Sequence, residues 1–142
     1  MKFMDAFCGK LDEVQCPYQR ATDSKGQEMI SIGLSGDHFS GLQYFVLFDD
    51  DTSAQIRCYI CKSPPDKNLS ALQIVNQLNR RYRWIKFFVE SSGAVGATAD
   101  IKATEDTAAE ILFHILCRMN GIIDDAYPTL MRVIYSDIER TC

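Results

Sequence analysis

Residues that commonly carry chemistry are scarce in this sequence. It contains two histidines, His38 and His114, one expected in a turn and one in a helix. Neither has a carboxylate or cysteine at a spacing that marks a base beside a nucleophile, so both read as structural. Ser35 sits between Gly33 and Gly36, and the second glycine falls one residue too early for a nucleophile elbow. Gly93 and Gly96 superficially resemble a dinucleotide fingerprint, but they open a strand pattern and no helix follows, which leaves no phosphate cradle. Nowhere do about 18 apolar residues run together, which excludes an ordinary membrane-spanning helix. The opening residues Met1, Lys2, Phe3, Met4 and Asp5 lack the uninterrupted apolar stretch of a signal peptide, so a cytoplasmic location is expected. Basic excess is also missing. Fifteen Lys and Arg against nineteen Asp and Glu give a net charge of −4 and a pI near 5.1, so the molecule as a whole should repel polyanions.

An ordinary globular composition remains, 46% apolar and 24% charged, in a length suited to one core. No linker, low-complexity tract or repeat divides it, and residues 1–142 read as a single domain. Six cysteines, Cys8, Cys16, Cys58, Cys61, Cys117 and Cys142, sit mostly among apolar neighbours. With no export signal, reduced thiols packed as small hydrophobes are expected.

Along the chain, Phe3, Met4, Phe7, Cys8, Leu11 and Val14 recur at helical spacing, and Cys16 before Pro17 should end that helix. Residues 18–22 and 29–34 flank turn chemistry at Asp23 to Gly26 and predict a hairpin. Residues 42–48 and 55–62 are rich in Val, Ile, Phe and Tyr and predict further strands, joined through Asp49, Asp50 and Asp51. Pro64 and Pro65 break the sheet. Leu69, Leu72, Val75, Leu78 and Tyr82 give a second helical stripe, and residues 85–90 and 94–101 a second hairpin around Gly93. Thr104 is placed to cap a helix that Gly121 should stop. A last amphipathic helix should carry Pro128 in its first turn and reach Ile138.

The expected architecture is α+β: an antiparallel sheet of about five strands, helices mainly on one face, in the order α-β-β-β-α-β-β-α-α. The uncovered face then matters, because exposed apolar surface there needs a partner. Tyr44, Tyr59 and Phe88 are its expected contacts.

Several clusters admit a plain and a functional reading. Cys58 and Cys61 have the spacing of a redox or zinc pair, but they lie in a strand, where positions three apart point to opposite faces. The three aspartates 49–51 lack the spaced ligands of a calcium-binding hand, and a solvated turn is the simpler reading. Arg80, Arg81, Tyr82, Arg83, Trp84, Ile85 and Lys86 interleave cations with aromatics, as protein interfaces and single-strand nucleic-acid sites both do. The plainer reading makes them a helix C-terminus whose cations offset the macrodipole, with Trp84 buried. Asn76 and Asn79 are expected to anchor a neighbouring loop.

The sequence resembles the YbjN family, described as bacterial sensory transduction regulators and grouped by fold with type III secretion chaperones. The likeness rests on Phe45, Val46, Leu47, Phe48 and Asp49. It continues through Ala71, Leu72, Asn76 and Asn79 into Ile85, Lys86 and Phe87, and ends at Asp124, Tyr127, Pro128, Leu130 and Met131. The resemblance implies an α-β-β-β-α-β-β-α core with no cofactor and no catalytic residues, and dimer formation or partner binding through sheet and helix surfaces. The abundance of cysteine lies outside the family pattern.

These readings converge on a non-enzymatic module that binds a protein partner through its sheet face or edge and a helix surface. Tyr44, Tyr59, Arg83, Trp84 and Phe88 are the expected contacts, and neither metal nor cofactor is expected. The alternatives are a small-ligand receptor or enzyme with a pocket invisible in the sequence, and nucleic-acid binding through residues 80–86.

Overall fold

A computed structural model of the chain describes residues 2–135. Among them are three α-helices and six strands, in the order α1 (Lys2–Glu13), β1 (Gln19–Thr22), β2 (Glu28–Leu34), β3 (Leu42–Phe48), β4 (Ser53–Lys62), α2 (Asn68–Arg81), β5 (Lys86–Val89), β6 (Ala94–Lys102) and α3 (Ala108–Ile134). The strands form one open sheet in the order β1-β2-β3-β4-β6-β5, antiparallel at every pairing. The α+β architecture and the covered face are as the sequence implies. The sheet has one strand more than expected, because residues 18–22 pair with β2 as a full edge strand.

One face of the sheet meets the helices. Ile30 and Ile32 of β2, Tyr44, Val46 and Phe48 of β3, Ala54, Ile56, Cys58 and Ile60 of β4, and Val95, Ala97, Ala99 and Ile101 of β6 are all buried. Each side chain of Leu, Ile or Phe taken fully out of water contributes about 1.5–3 kcal/mol. The expected stripe of α1 packs here, with Phe3 and Phe7 against Phe48 at ring-centroid distances of 5.1 and 6.1 Å. α1 ends through paired backbone bonds, Cys16 N–H to Leu11 C=O (2.9 Å) and Gln15 N–H to Asp12 C=O (3.1 Å), around a left-handed Gln15 (φ 58°). This is the Schellman arrangement. In α2 the buried stripe is Ala71, Ile74, Val75 and Leu78, whereas Leu69 and Leu72 of the expected stripe stand 69% and 53% exposed. Two apolar stripes overlap in that segment, sharing Val75 and Leu78, and the one through Ala71 and Ile74 faces the core.

The two expected C-terminal helices are one. α3 runs through both Gly121 and Pro128, and Thr104 belongs to a preceding turn that closes through Ala108 N–H to Thr104 C=O (2.9 Å). Its buried positions, Leu112, Leu116, Met119, Ile122, Ile123, Ala126, Leu130 and Ile134, form an unbroken stripe. Packing of that stripe outweighs the roughly 1 kcal/mol a helical glycine costs. Pro128 has no N–H for the carbonyl of Asp124. That carbonyl lies 3.0 Å from His38 Nδ1, so the imidazole N–H replaces the missing donor. The β2–β3 loop is docked around this point. Asp124 Oδ1 accepts the His38 backbone N–H (2.9 Å), Asn120 Nδ2 donates to Ser35 C=O (3.0 Å), and the Phe39 and Tyr127 rings lie 5.4 Å apart. Backbone N–H groups of the loop, His38 first, hold the Asp124 carboxyl below its ordinary range. Ile138 and Cys142 lie outside the described residues.

Candidate functional site

Among the described residues, no helix covers the second face of the sheet. Register fixes its occupants: Met29 pairs with Leu47 and Leu47 with Gln55, while Ser31 pairs with Phe45 and Phe45 with Arg57. All six side chains therefore share this face. Met29, Phe45 and Leu47 form an apolar strip, half-exposed, on the floor of a shallow groove of about 400 Å³ whose walls include Lys25, Gln27, Arg57 and Tyr59.

Beside the strip runs a belt of polar contacts. Gln55 Nε2 donates to Asp100 (2.9 Å), Arg57 Nη2 to Gln55 Oε1 (3.2 Å), Arg57 Nη1 to the Tyr59 hydroxyl (3.2 Å), and that hydroxyl to Glu90 (2.9 Å). Arg57 Nε is buried and has no partner among the described residues. The guanidinium also stands 6.0 Å from the Phe88 ring centroid.

Gly96 positions the aromatic end of this surface. It pairs with both Tyr59 and Phe88, and a Cβ there would stand 2.6 Å from Phe88 Cζ and 2.7 Å from the Cys58 carbonyl oxygen. Without one, the Phe88 ring lies across the glycine and meets Tyr59 edge to face, with centroids 5.9 Å apart and planes at 89°. Such a pair contributes about 0.5–1.5 kcal/mol beyond its buried area. The structure thus brings the expected contacts Tyr59 and Phe88 together, with Tyr59 40% exposed.

Tyr44 is a correction. It points into the core, fully buried, and its hydroxyl donates to Asn120 Oδ1 (2.7 Å). Burial pushes its phenol well above the ordinary range, so it stays a neutral donor. It is no partner contact on this surface; Phe45 and Leu47, the residues on either side of Val46, occupy the open face. These two, with Met29 and Arg57, are the residues the sequence reading missed.

Arg83 and Trp84 are exposed, and they are carried by the α2–β5 turn at the edge of the sheet. Trp84 stands 71% exposed at φ 75°, a backbone region costly for a bulky side chain. The plainer reading of a buried Trp84 is therefore wrong. Within the basic cluster, Arg81 pairs with Asp125 (3.7 Å) and lies over the Tyr82 ring (5.3 Å), and Tyr82 donates to the same aspartate. Burial, then that carboxylate, raises the Tyr82 phenol to about 12. Arg80, Arg83 and Lys86 are exposed.

The two edges of the sheet differ. At β5, Asn79 reaches over from α2, accepts from Phe87 N–H (2.7 Å) and donates to Phe87 C=O (3.0 Å). This amide occupies both outward groups of Phe87, as the next strand would. The expected anchoring role thus belongs to Asn79, and what it anchors is strand β5 rather than a loop. At the opposite edge β1 is exposed at all four residues.

The other clusters resolve simply. A register shift between Tyr59 and Cys61 sets Cys61 opposite Val95 and Cys58 opposite Ala97, two core-facing residues. The two cysteines thus share a face, contrary to the alternation expected of a regular strand, because the bulge inserts one residue. Burial raises Cys58 to about 12 and Cys61 to about 11, leaving unreactive thiols at neutral pH. Asp50 accepts from Thr52 N–H, Thr52 Oγ1 and Ser53 Oγ (2.8–3.0 Å), and these bonds lower its carboxyl to about 2. Among the described residues, no group of three or more His, Cys, Asp or Glu is placed to hold a metal ion, and no helix is long and apolar enough to cross a membrane.

An open antiparallel sheet with helices on one side and an apolar strip on the other defines a surface suited to contact. Comparison with known proteins then identifies the group: residues 5–130 match the YbjN family, described as "Putative bacterial sensory transduction regulator". The chain belongs to that family. Among solved structures it is similar to YbjN from E. coli, titled a "putative transcription regulator", with a TM-score of 0.59 and 11% identity over 89% of this chain and 92% of that one, which shows a shared fold. A chain of the heterodimeric ExoU–SpcU complex of the type III secretion system of Pseudomonas aeruginosa overlays with a TM-score of 0.41 and 13% identity, over 82% of each chain, too low to add to that assignment. No curated protein matches.

Proposed function

We propose that this chain is a non-enzymatic, cytoplasmic protein-binding module, regulatory or chaperone-like, that takes a segment of a protein partner on its uncovered sheet face. The supporting observation is the apolar strip of Met29, Phe45 and Leu47 beside the Tyr59–Phe88 pair, grouped on the sheet face opposite the described helices. Apolar surface supplies affinity and the flanking polar belt supplies register, the usual division at protein interfaces. β1 supports the same reading as the unblocked edge, where an extended segment can add backbone bonds. A homodimer would use this surface in the same way.

The test is capture from cell extract by wild type and by a Phe45→Ser/Leu47→Ser/Tyr59→Ala variant, with light scattering on both. A partner, or a second copy, held by wild type and lost by a variant that melts cooperatively is the expected result. Equal capture by both refutes the assignment of the face.

A further inference from the structure

Arg57 is a cation on the open face whose hydrogen-bond partners are all neutral. Its guanidinium donates to Gln55 Oε1 and to the Tyr59 hydroxyl and lies beside the Phe88 ring. Among the described residues no carboxylate forms an ion pair with it. Elsewhere the pairing differs: Lys10 meets Glu110, Arg20 meets Asp5 and Arg81 meets Asp125. The Arg57 side chain is half-buried, and its Nε is shut off from solvent without an acceptor among the described residues. A charge so placed gives up hydration without gaining a counter-charge, a cost that a carboxylate would offset. The acids of the belt do not supply one, because Asp100 accepts from Gln55 and Glu90 from the Tyr59 hydroxyl. Lys25, a second cation lining the groove, is exposed and likewise forms no ion pair among the described residues. Asp23, the acid lining the groove, is occupied by the backbone N–H groups of Lys25 (2.9 Å) and Gln27 (2.8 Å).

We infer that the groove selects an acidic, amphipathic segment of a protein partner. Apolar side chains of the segment settle on Met29, Phe45 and Leu47, and an Asp or Glu carboxylate pairs with Arg57, with Lys25 adding to the attraction. The inference rests on the proposed function, for which it supplies the partner's chemistry. A guanidinium carries five N–H donors, and Arg57 uses two of them within the belt, so donors remain for the carboxylate. Register also sets the spacing. Arg57 stands opposite Phe45, about 5 Å away across the ladder, and the row of Leu47 lies about 7 Å further along the strand. Side chains two apart in an extended segment, or three to four apart on a helix, meet that spacing. Nucleic acid fits less well, because Asp23, Glu90 and Asp100 share this surface with the cations and would meet its phosphates. A second copy laid face to face would bring the same cations with it, and carboxylates that are already bonded.

The test selects displayed random twelve-residue peptides on the purified chain and measures binding of the enriched ones by fluorescence anisotropy. Expected are enrichment of Asp or Glu at that spacing from apolar residues, depletion of Lys and Arg, and affinity that falls as salt rises. Arg57→Gln should weaken an enriched peptide about tenfold or more. Lys25→Glu, at an exposed position where folding is undisturbed, should weaken it by a smaller factor. Arg57→Glu should bind a peptide whose acid is replaced by arginine better than it binds the original, a reversal that a merely structural role of Arg57 would not produce. Enriched peptides without acid, or acidic peptides indifferent to both Arg57→Gln and Lys25→Glu, would overturn the inference. The sheet-face reading would still stand if Phe45→Ser/Leu47→Ser abolished their binding. Preference for a single-stranded oligonucleotide over every peptide, or a dimer that the same variants dissociate, would overturn the assigned occupant. Failure to enrich any peptide would overturn it as well.

Discussion

Replacing Tyr44 by phenylalanine separates fold from function at a residue whose sequence pattern suggests a surface role. The ring is fully buried and its hydroxyl donates to Asn120 Oδ1 at 2.7 Å, while Asn120 Nδ2 holds Ser35 C=O at 3.0 Å. Removing the hydroxyl leaves that amide oxygen unpaired. Asn120 is only half-buried, so water can partly replace the donor, and the cost falls at about 1–1.5 kcal/mol. For a chain of this length that lowers Tm by roughly 3–5 °C. Tyr44→Ala removes the ring as well and leaves a cavity between β3 and α3, costing about 3–5 kcal/mol. Urea unfolding followed by circular dichroism measures both. Tyr44→Phe should keep full partner capture while losing stability. Unchanged stability together with lost capture would refute the inward placement of Tyr44.

Four other outcomes follow from the contacts. Asn79→Ala uncovers Phe87 N–H and C=O at the β5 edge, which should cost about 1–3 kcal/mol and raise aggregation through that edge; light scattering at increasing concentration checks it. Asp50 has its carboxyl lowered to about 2 by its turn bonds. Its contribution is therefore complete above its unfolded value, near 4, and is lost as pH falls from there through about 2. Asp50→Asn should flatten that acid limb of the stability curve. His38→Ala removes the donor to the Asp124 carbonyl and should cost about 1 kcal/mol, with faster hydrogen exchange in residues 35–40. Pro128→Ala restores the helical N–H, so the His38→Ala penalty should shrink in that background, as a double-mutant cycle would show.

Much of the architecture is legible in the residues. α1, the β5–β6 hairpin and the covered sheet follow from apolar spacing alone. The facing of β3 does not, because residues 44–48 are apolar on both sides and give no alternation to read. The signal lies in its neighbour. Gln55, Arg57 and Tyr59 alternate with Ala54, Ile56 and Cys58, and pairing Phe45 with Arg57 carries that facing across to β3. The continuity of α3 was hidden for a different reason. Gly121 and Pro128 are helix breakers locally, and the compensating donor, His38, lies 86 residues from Asp124 in sequence. Trp84 is misread because an exposed tryptophan in a strained turn runs against both propensity and burial.

The open sheet face is tested most directly by photocrosslinking in living cells, with a photoreactive phenylalanine analogue placed singly at Phe45, at Leu47, or at Arg132 on the exposed side of α3. Adducts to one protein from positions 45 and 47, and none from 132, are expected. Adducts from 132 with none from the sheet positions would contradict the assignment of that face.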